Sequence, residues 1–128
     1  MNKSKIAGTN EEKEVHVLLM ELDPDGEWER RTAGKDGKPR AAGGALTHGF
    51  DVWSVKRKCW CEIKMRDCRI TQKMIAGWLK QHHSEELDVV VFREKGRSER
   101  WVAIGDAYAT DEWYLQPFEQ FFRRLADE

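Results

Sequence analysis

The chain has 128 residues, of which 40% are hydrophobic and 35% charged, and a formal net charge of −1 at pH 7. That size and composition point to a single folded domain over residues 1–128 and exclude a disordered chain. No apolar run approaches the ~20 residues of a membrane span and the polar N-terminus does not read as a signal peptide, so no membrane partner and a cytoplasmic setting are expected.

In chain order, the first helix is expected to open at Thr9 or Asn10, either a good N-cap, with Glu11 and Glu12 in its first turn where the macrodipole favours anions. Val15, Leu18, Leu19 and Leu22 then form an apolar stripe at helical spacing. Glu12 falls on that stripe, three residues before Val15, and so is a candidate for more than a dipole role, whereas Glu14 points away. Asp23-Pro24-Asp25-Gly26 ends the helix in a turn, and Trp28–Thr32 reads as a strand. Residues 33–45 lack periodicity and place Lys35, Lys38 and Arg40 among Gly34, Gly37, Pro39, Gly43 and Gly44. They read as a mobile basic loop, either closing over a nucleic-acid strand or forming an ordinary surface excursion. The loop lacks the Gly-Lys-Ser/Thr ending of a phosphate-binding loop.

The stretch from Gly49 to Arg66 alternates apolar and polar positions along two arms, as a β-hairpin does, with Lys56, Arg57 and Lys58 marking the bend. A loop over Val55–Lys58 pairs Ser54 with Cys59 and Trp53 with Trp60, and continuing outward sets Asp51 against Glu62. Residues directly opposed on an antiparallel pair share a face, so that register predicts two carboxylates side by side, with the Lys64 amine one step beyond. Opposed like charges destabilise a strand pair. A hard divalent cation such as Mg²⁺, which takes carboxylate oxygens, waters and substrate phosphates, resolves the conflict. Beside a phosphodiester it activates water and stabilises the leaving oxygen, with the lysine holding the water or neutralising developing charge. The plainer alternative is a solvated polar face.

Ile70, Met74, Trp78 and Leu79 predict a second helix over Thr71–His82. The continuous apolar run in Leu87–Phe92 predicts a strand buried on both faces, as parallel pairing produces. A charged turn over 93–99 leads to a strand over Arg100–Ile104. The last element is predicted as an amphipathic helix from Trp113 to Leu125, with Phe118, Phe121, Phe122 and Leu125 on one side, available as core or as an interface. Cys59, Cys61 and Cys68 are an odd count and are expected reduced. A zinc site joining them to His48, His82 or His83 lacks any Cys-x-x-Cys pair.

Between Arg30 and Lys73 stand twelve basic residues against four acidic ones, two of which are Asp51 and Glu62. Such segregation within a near-neutral chain is what phosphate contacts require. The phosphate-contact candidates are Arg30, Arg31, Lys35, Lys38, Arg40, Lys56, Arg57, Lys58, Arg66 and Arg69.

A Glu in an N-terminal helix, then Asp51, then Glu62-Ile63-Lys64 ahead of a second helix, resembles the PD-(D/E)XK nuclease superfamily. Within it, Gly8-Thr9-Asn10-Glu11-Glu12-Lys13-Glu14-Val15, the Arg30-Arg31 pair and Thr47-His48-Gly49-Phe50-Asp51 are similar to archaeal-type Holliday junction resolvases and their phage relatives. The likeness covers roughly residues 5–92, with Phe50 where the motif often has proline. It implies a restriction-endonuclease-like α/β fold, a mixed sheet flanked by helices. It further implies Mg²⁺ or Mn²⁺ held by Glu12, Asp51, Glu62 and the Ile63 carbonyl, with Lys64 orienting the attacking water. The implied activity is resolution of four-way DNA junctions by a homodimer, leaving 5′-phosphate and 3′-hydroxyl ends, in the host cytoplasm if the gene is phage-borne. Another nuclease on the same fold, of restriction, repair or nicking type, and a non-catalytic nucleic-acid-binding module are the alternatives.

Overall fold

The alternation along residues 49–66 folds as the expected hairpin. In the computed structural model, which describes residues 3–33, 39–40, 50–81, 87–106 and 112–128, Ser54 pairs with Cys59 and Trp53 with Trp60. The turn between them is closed by the Lys58 amide donating to the Val55 carbonyl at 3.2 Å, with Lys58 itself at φ 54°. The element order is α1 (Lys3–Leu22), β1 (Glu29–Arg30), β2 (Thr32–Ala33), β3 (Pro39–Arg40), β4 (Val52–Ser54), β5 (Cys59–Arg66), α2 (Gln72–Gln81), β6 (Leu87–Glu94), β7 (Trp101–Asp106), β8 (Glu112–Pro117) and α3 (Phe118–Asp127).

The result is a mixed α/β fold whose six-stranded sheet runs β1-β4-β5-β6-β7-β8, with β2 and β3 forming a separate two-stranded ribbon. Only the β5–β6 pair of the large sheet is parallel, and α2 connects the two strands. Strand β6 lies between β5 and β7, which explains its continuous apolar run. Its Val89 and Val91 pack with Val15 and Leu19 of α1 and the α3 aromatics. Its Val90 and Phe92 pack with Ile75, Trp78 and Leu79 of α2. Successive residues thus feed two cores on opposite faces of the sheet.

Three predicted boundaries are corrected. Helix α1 is already helical at Lys3, so Thr9 and Asn10 do not cap it, and Glu11 and Glu12 lie well inside instead of in a first turn. Residues 112–117 form β8, paired antiparallel with β7, and the last helix starts at Phe118. Pro117 ends the strand and caps the helix, because its ring lacks an amide donor and fits a boundary. The 33–45 stretch contains the short strands β2 and β3, while Lys35, Lys38 and the rest of 34–38 and 41–49 fall outside the described residues. The apolar side of α3 is core and not an interface. Phe118, Phe121, Phe122 and Leu125 are all buried, and Phe122 meets Trp28 edge to face at 5.5 Å. Among the described residues no helix is long and apolar enough to cross a membrane.

The turn after α1 is fastened to the hairpin by an ion pair whose acid is buried and whose arginine is half-buried. Arg57 donates from Nε and Nη2 to Asp23 at 2.9 and 2.7 Å, and the Trp28 indole adds a third bond at 3.0 Å. Hydrogen bonding from Arg57 holds the Asp23 carboxyl below its ordinary range, against the opposing pull of burial. A Cβ on Gly26 would stand 2.2 Å from Asp23 Oδ2, so only glycine lets the turn approach this closely. Arg57, expected at the DNA surface, is therefore spent inside the fold. Asp23→Ala removes the acceptor of three hydrogen bonds, two from Arg57 and one from Trp28, and should cost about 2 kcal/mol in urea denaturation; a loss below about 0.5 kcal/mol would show the pair to be marginal.

Candidate functional site

Helix α1 turns two adjacent glutamates inward, each to a different partner set. Glu12 meets Asp51, and one guanidinium nitrogen of Arg31 lies 3.1 Å from Glu12 Oε1 and 3.2 Å from Asp51 Oδ1. The two carboxyls are themselves in hydrogen-bonding reach of each other. Burial and the Asp51 charge push the Glu12 carboxyl up to about 7, with Arg31 pulling the other way.

Asp51 arrives there through an irregularity in the hairpin. Val52 stands opposite Cys61 by register, yet the Asp51 amide also donates to the Cys61 carbonyl, at 3.0 Å. Two residues against one is a β-bulge, which re-aims the extra side chain. At the bulge the Ile63 amide donates to Asp51 Oδ2 at 2.8 Å, and the Arg31 amide donates to the Asp51 carbonyl at 2.9 Å. Asp51, only 3% exposed, is thereby directed toward α1.

This corrects the expected Asp51–Glu62 opposition. Glu62 and Lys64 lie on the α2 side of β5. Lys64 Nζ is 3.1 Å from Glu62 Oε1 and 5.9 Å from the Trp78 ring centre, and Glu62 lines a small cavity with Phe50, Trp78, Leu79 and Asp88. Among the described residues no three His, Cys, Asp or Glu side chains gather so as to hold a metal ion. The structure thus brings Glu12 and Asp51 together, and Glu62 and Lys64 together, as two pairs joined through the Ile63 amide. Glu12 and Asp51 fit a hard divalent cation, since one or two carboxylates plus waters and phosphates suffice for Mg²⁺ and their like-charge conflict is what a cation relieves. Glu62 does not complete a three-carboxylate group with them.

The cation candidates divide. Arg31 and Arg57 are committed to carboxylates. Arg66 donates to the Met65 carbonyl and lies 5.3 Å over Trp78. Lys56, Lys58 and Arg69 are exposed, Arg30 is half-buried on β1, and Arg40 lies in β3. Cys59 and Cys61 are buried free thiols and Cys68 is an exposed one, while His48, His82 and His83 lie outside the described residues. Burial, followed by a hydrogen bond with Cys59, pushes the Cys61 thiol well up.

One constellation went unread in the sequence. Glu11, 2% exposed, accepts bonds from both Arg93 and Arg100 at 2.8 to 3.2 Å, and Arg100 also meets Glu14 at 2.9 Å. Burial alone would raise the Glu11 carboxyl, but bonds from Arg100 and Arg93 outweigh it and hold it low. Glu11 stands four residues before Val15, as Glu12 stands three before it, and either spacing reaches a buried helical face.

No protein-family model, no curated protein and no solved structure matches this chain.

A carboxyl held at about 7 in the folded chain against 4.5 for the ordinary group favours the fold most below pH 4.5, and that stability is lost as pH rises through 7. Replacing Glu12 by Gln should remove this dependence. Melting curves in chelator at pH 5 and pH 8 should show the variant gaining on the parent at the higher pH, by on the order of 2 kcal/mol. Equal pH slopes would contradict the reading.

Proposed function

We propose that the chain is a metal-dependent endodeoxyribonuclease of restriction-endonuclease-like architecture, acting on branched DNA of the four-way junction kind. One observation carries this reading: Asp51, which meets Glu12, accepts the amide of Ile63, the residue between Glu62 and Lys64 on β5. That bond ties the acid pair beside α1 to the strand that presents Glu62 and Lys64 on its other face.

In this reading Glu12 and Asp51 hold Mg²⁺, or Mn²⁺ in its place. The bound ion supplies Lewis-acid activation of the phosphodiester. The Ile63 amide and Arg31 hold the Asp51 carboxyl in place, from Oδ2 and Oδ1 respectively. Glu12 is the group that carries a proton near neutrality. Lys64, held by Glu62 and backed by the Trp78 ring, is the amine that orients the attacking water or neutralises charge on the phosphoryl oxygens. Lys56 and Lys58 at the hairpin bend, with Arg30 and Arg69, supply the sequence-independent phosphate contacts. A homodimer matches the two-fold symmetry of a junction that needs paired nicks.

A second reading, a nucleic-acid-binding module without catalysis, is favoured by the separation of Glu62 from the Glu12–Asp51 pair. A substrate panel decides between them. With Mg²⁺ supplied, four-way junctions should be nicked in preference to linear duplex and flaps, and Asp51→Asn should lower the rate by at least about a hundredfold while junction affinity changes little. Full activity in that variant would place the chemistry elsewhere, preference for duplex or flap would assign a different nuclease, and binding without nicking under any divalent ion would leave the module. Separately, Lys56→Ala with Lys58→Ala should weaken junction binding and flatten its dependence on salt by about two contacts; an unchanged slope would take the bend off the DNA surface.

A further inference from the structure

Helix α2 packs on β6 and β7, and beside it the same face of the sheet carries an open cleft of about 650 Å³ over β6, β7 and β8. That is the size of sites that take nucleotide-sized ligands. Its floor is aromatic: Phe92 of β6, Trp101 of β7 and Trp113 of β8, with Leu115 beside them. Trp101 is 39% exposed and Leu115 41%, and large apolar side chains clustered in the open mark a binding surface. Trp113 is seated flush by its partner across the ladder. Gly105 lies opposite it in register, and a Cβ there would stand 2.4 Å from Trp113 Cβ.

The rim adds Arg69 and Arg97, both exposed, against Glu94 and Glu99. Glu94 is engaged by the Ile70 amide at 2.8 Å, so the cleft is not a strongly cationic groove for a duplex backbone. Flat indole faces with two guanidiniums at the edge suit one unpaired base and its phosphate, where stacking contributes most of the affinity. The position relative to Lys64 is fixed by register. Lys64 is opposite Phe92, and Phe92 is opposite Trp101, so the backbones of Trp101 and Lys64 stand two strand spacings, roughly 10 Å, apart along one row.

We propose that the Trp101–Trp113 cleft is a stacking site for an unpaired nucleotide of the DNA, next to the Glu62–Lys64 pair. The proposal rests on the nucleic-acid reading above and deepens it, because branch points are where duplexes expose unpaired or unstacked bases. It gives the enzyme a means of choosing branched over continuous DNA that needs no base-edge contact.

The test measures quenching of tryptophan fluorescence by a short oligothymidylate in chelator, and in parallel the Mg²⁺-supported nicking of a four-way junction by the same preparations. The parent should bind oligothymidylate more tightly than a duplex of equal length. Trp101→Ala should weaken it roughly tenfold and Trp101→Phe should restore most of the affinity. Leu115→Glu, at an exposed rim position, should weaken it with an unchanged melting temperature. Equal affinity in the parent and in Trp101→Ala, or no oligothymidylate binding by the parent, overturns the site, and junction nicking in that same preparation would leave the nuclease reading standing. Binding that depends on Trp101 without nicking of any branched DNA keeps the site and removes the nuclease. Quenching by tetramethylammonium in place of oligothymidylate makes the cleft a cation cage and overturns the proposal.

Discussion

One hydrogen bond decides how this site is assembled: the Ile63 amide donates to a side-chain carboxylate, that of Asp51, where an ordinary ladder would offer a backbone carbonyl. The extra residue at Asp51–Val52 leaves the Ile63 donor facing the bulge, and a buried amide without an acceptor costs about 1–3 kcal/mol. A carboxylate is the strongest acceptor available, and such charge-assisted bonds are roughly twice as strong as neutral ones. From that bond the rest follows. Asp51 is held toward α1, Glu12 meets it there, the two acids cannot both ionise cheaply, and Arg31 is drawn over both. Burial first and the Asp51 charge second push the Glu12 carboxyl up to about 7, and the second cause is set by backbone geometry on another element, where Asp51 is anchored by Ile63 twelve residues on.

Why the hairpin was legible and its site was not comes down to period. Alternation over 49–66 fixes which residues pair near the turn, and Ser54–Cys59 and Trp53–Trp60 pair as expected. Alternation cannot register a bulge, because one inserted residue moves the side chain beyond it to the other face without altering the pattern of residue types. Asp51 is that residue. The same limit applies on α1, where three-residue and four-residue spacings both point inward, so the stripe identified Glu12 without showing that Glu11 is the more deeply buried of the two. Glu11 would have been found by asking which arginines stand at the ends of the central strands. At 112–117, Trp, Tyr and Leu ahead of a proline carried a strand signal that the strong aromatic period of 118–125 masked.

Charge was legible in amount and not in placement. The basic excess between Arg30 and Lys73 is real in the sequence, yet the fold draws two of its arginines inward, Arg57 to Asp23 and Arg31 to the acid pair. Arginine suits such duty because its planar fork bonds carboxylates two at a time and stays charged when buried. The lysines Lys56 and Lys58 stay at the exposed bend, as expected of a compact, strongly hydrated charge. A count of cations along a chain therefore overstates the surface it offers to phosphate, and the arginines are the ones to subtract first.

The two sides of the sheet hold an acid pair toward α1 and an amine toward α2, and β5 serves both because neighbouring residues on a strand face opposite ways. Ile63 bonds Asp51 through its amide while Glu62 and Lys64, on either side of it, face α2. On the proposed function, a phosphate reaching both would approach at the bulge, since along the strand the backbone itself stands between them. That geometry disfavours a smooth duplex lying across one face and favours DNA that bends or parts over the sheet edge. On the proposed function, an unpaired strand following that approach would run along the row Lys64, Phe92, Trp101, where the indole is exposed. Substrate shape, in this arrangement, is selected by the path the backbone leaves open and not by any contact that reads a base.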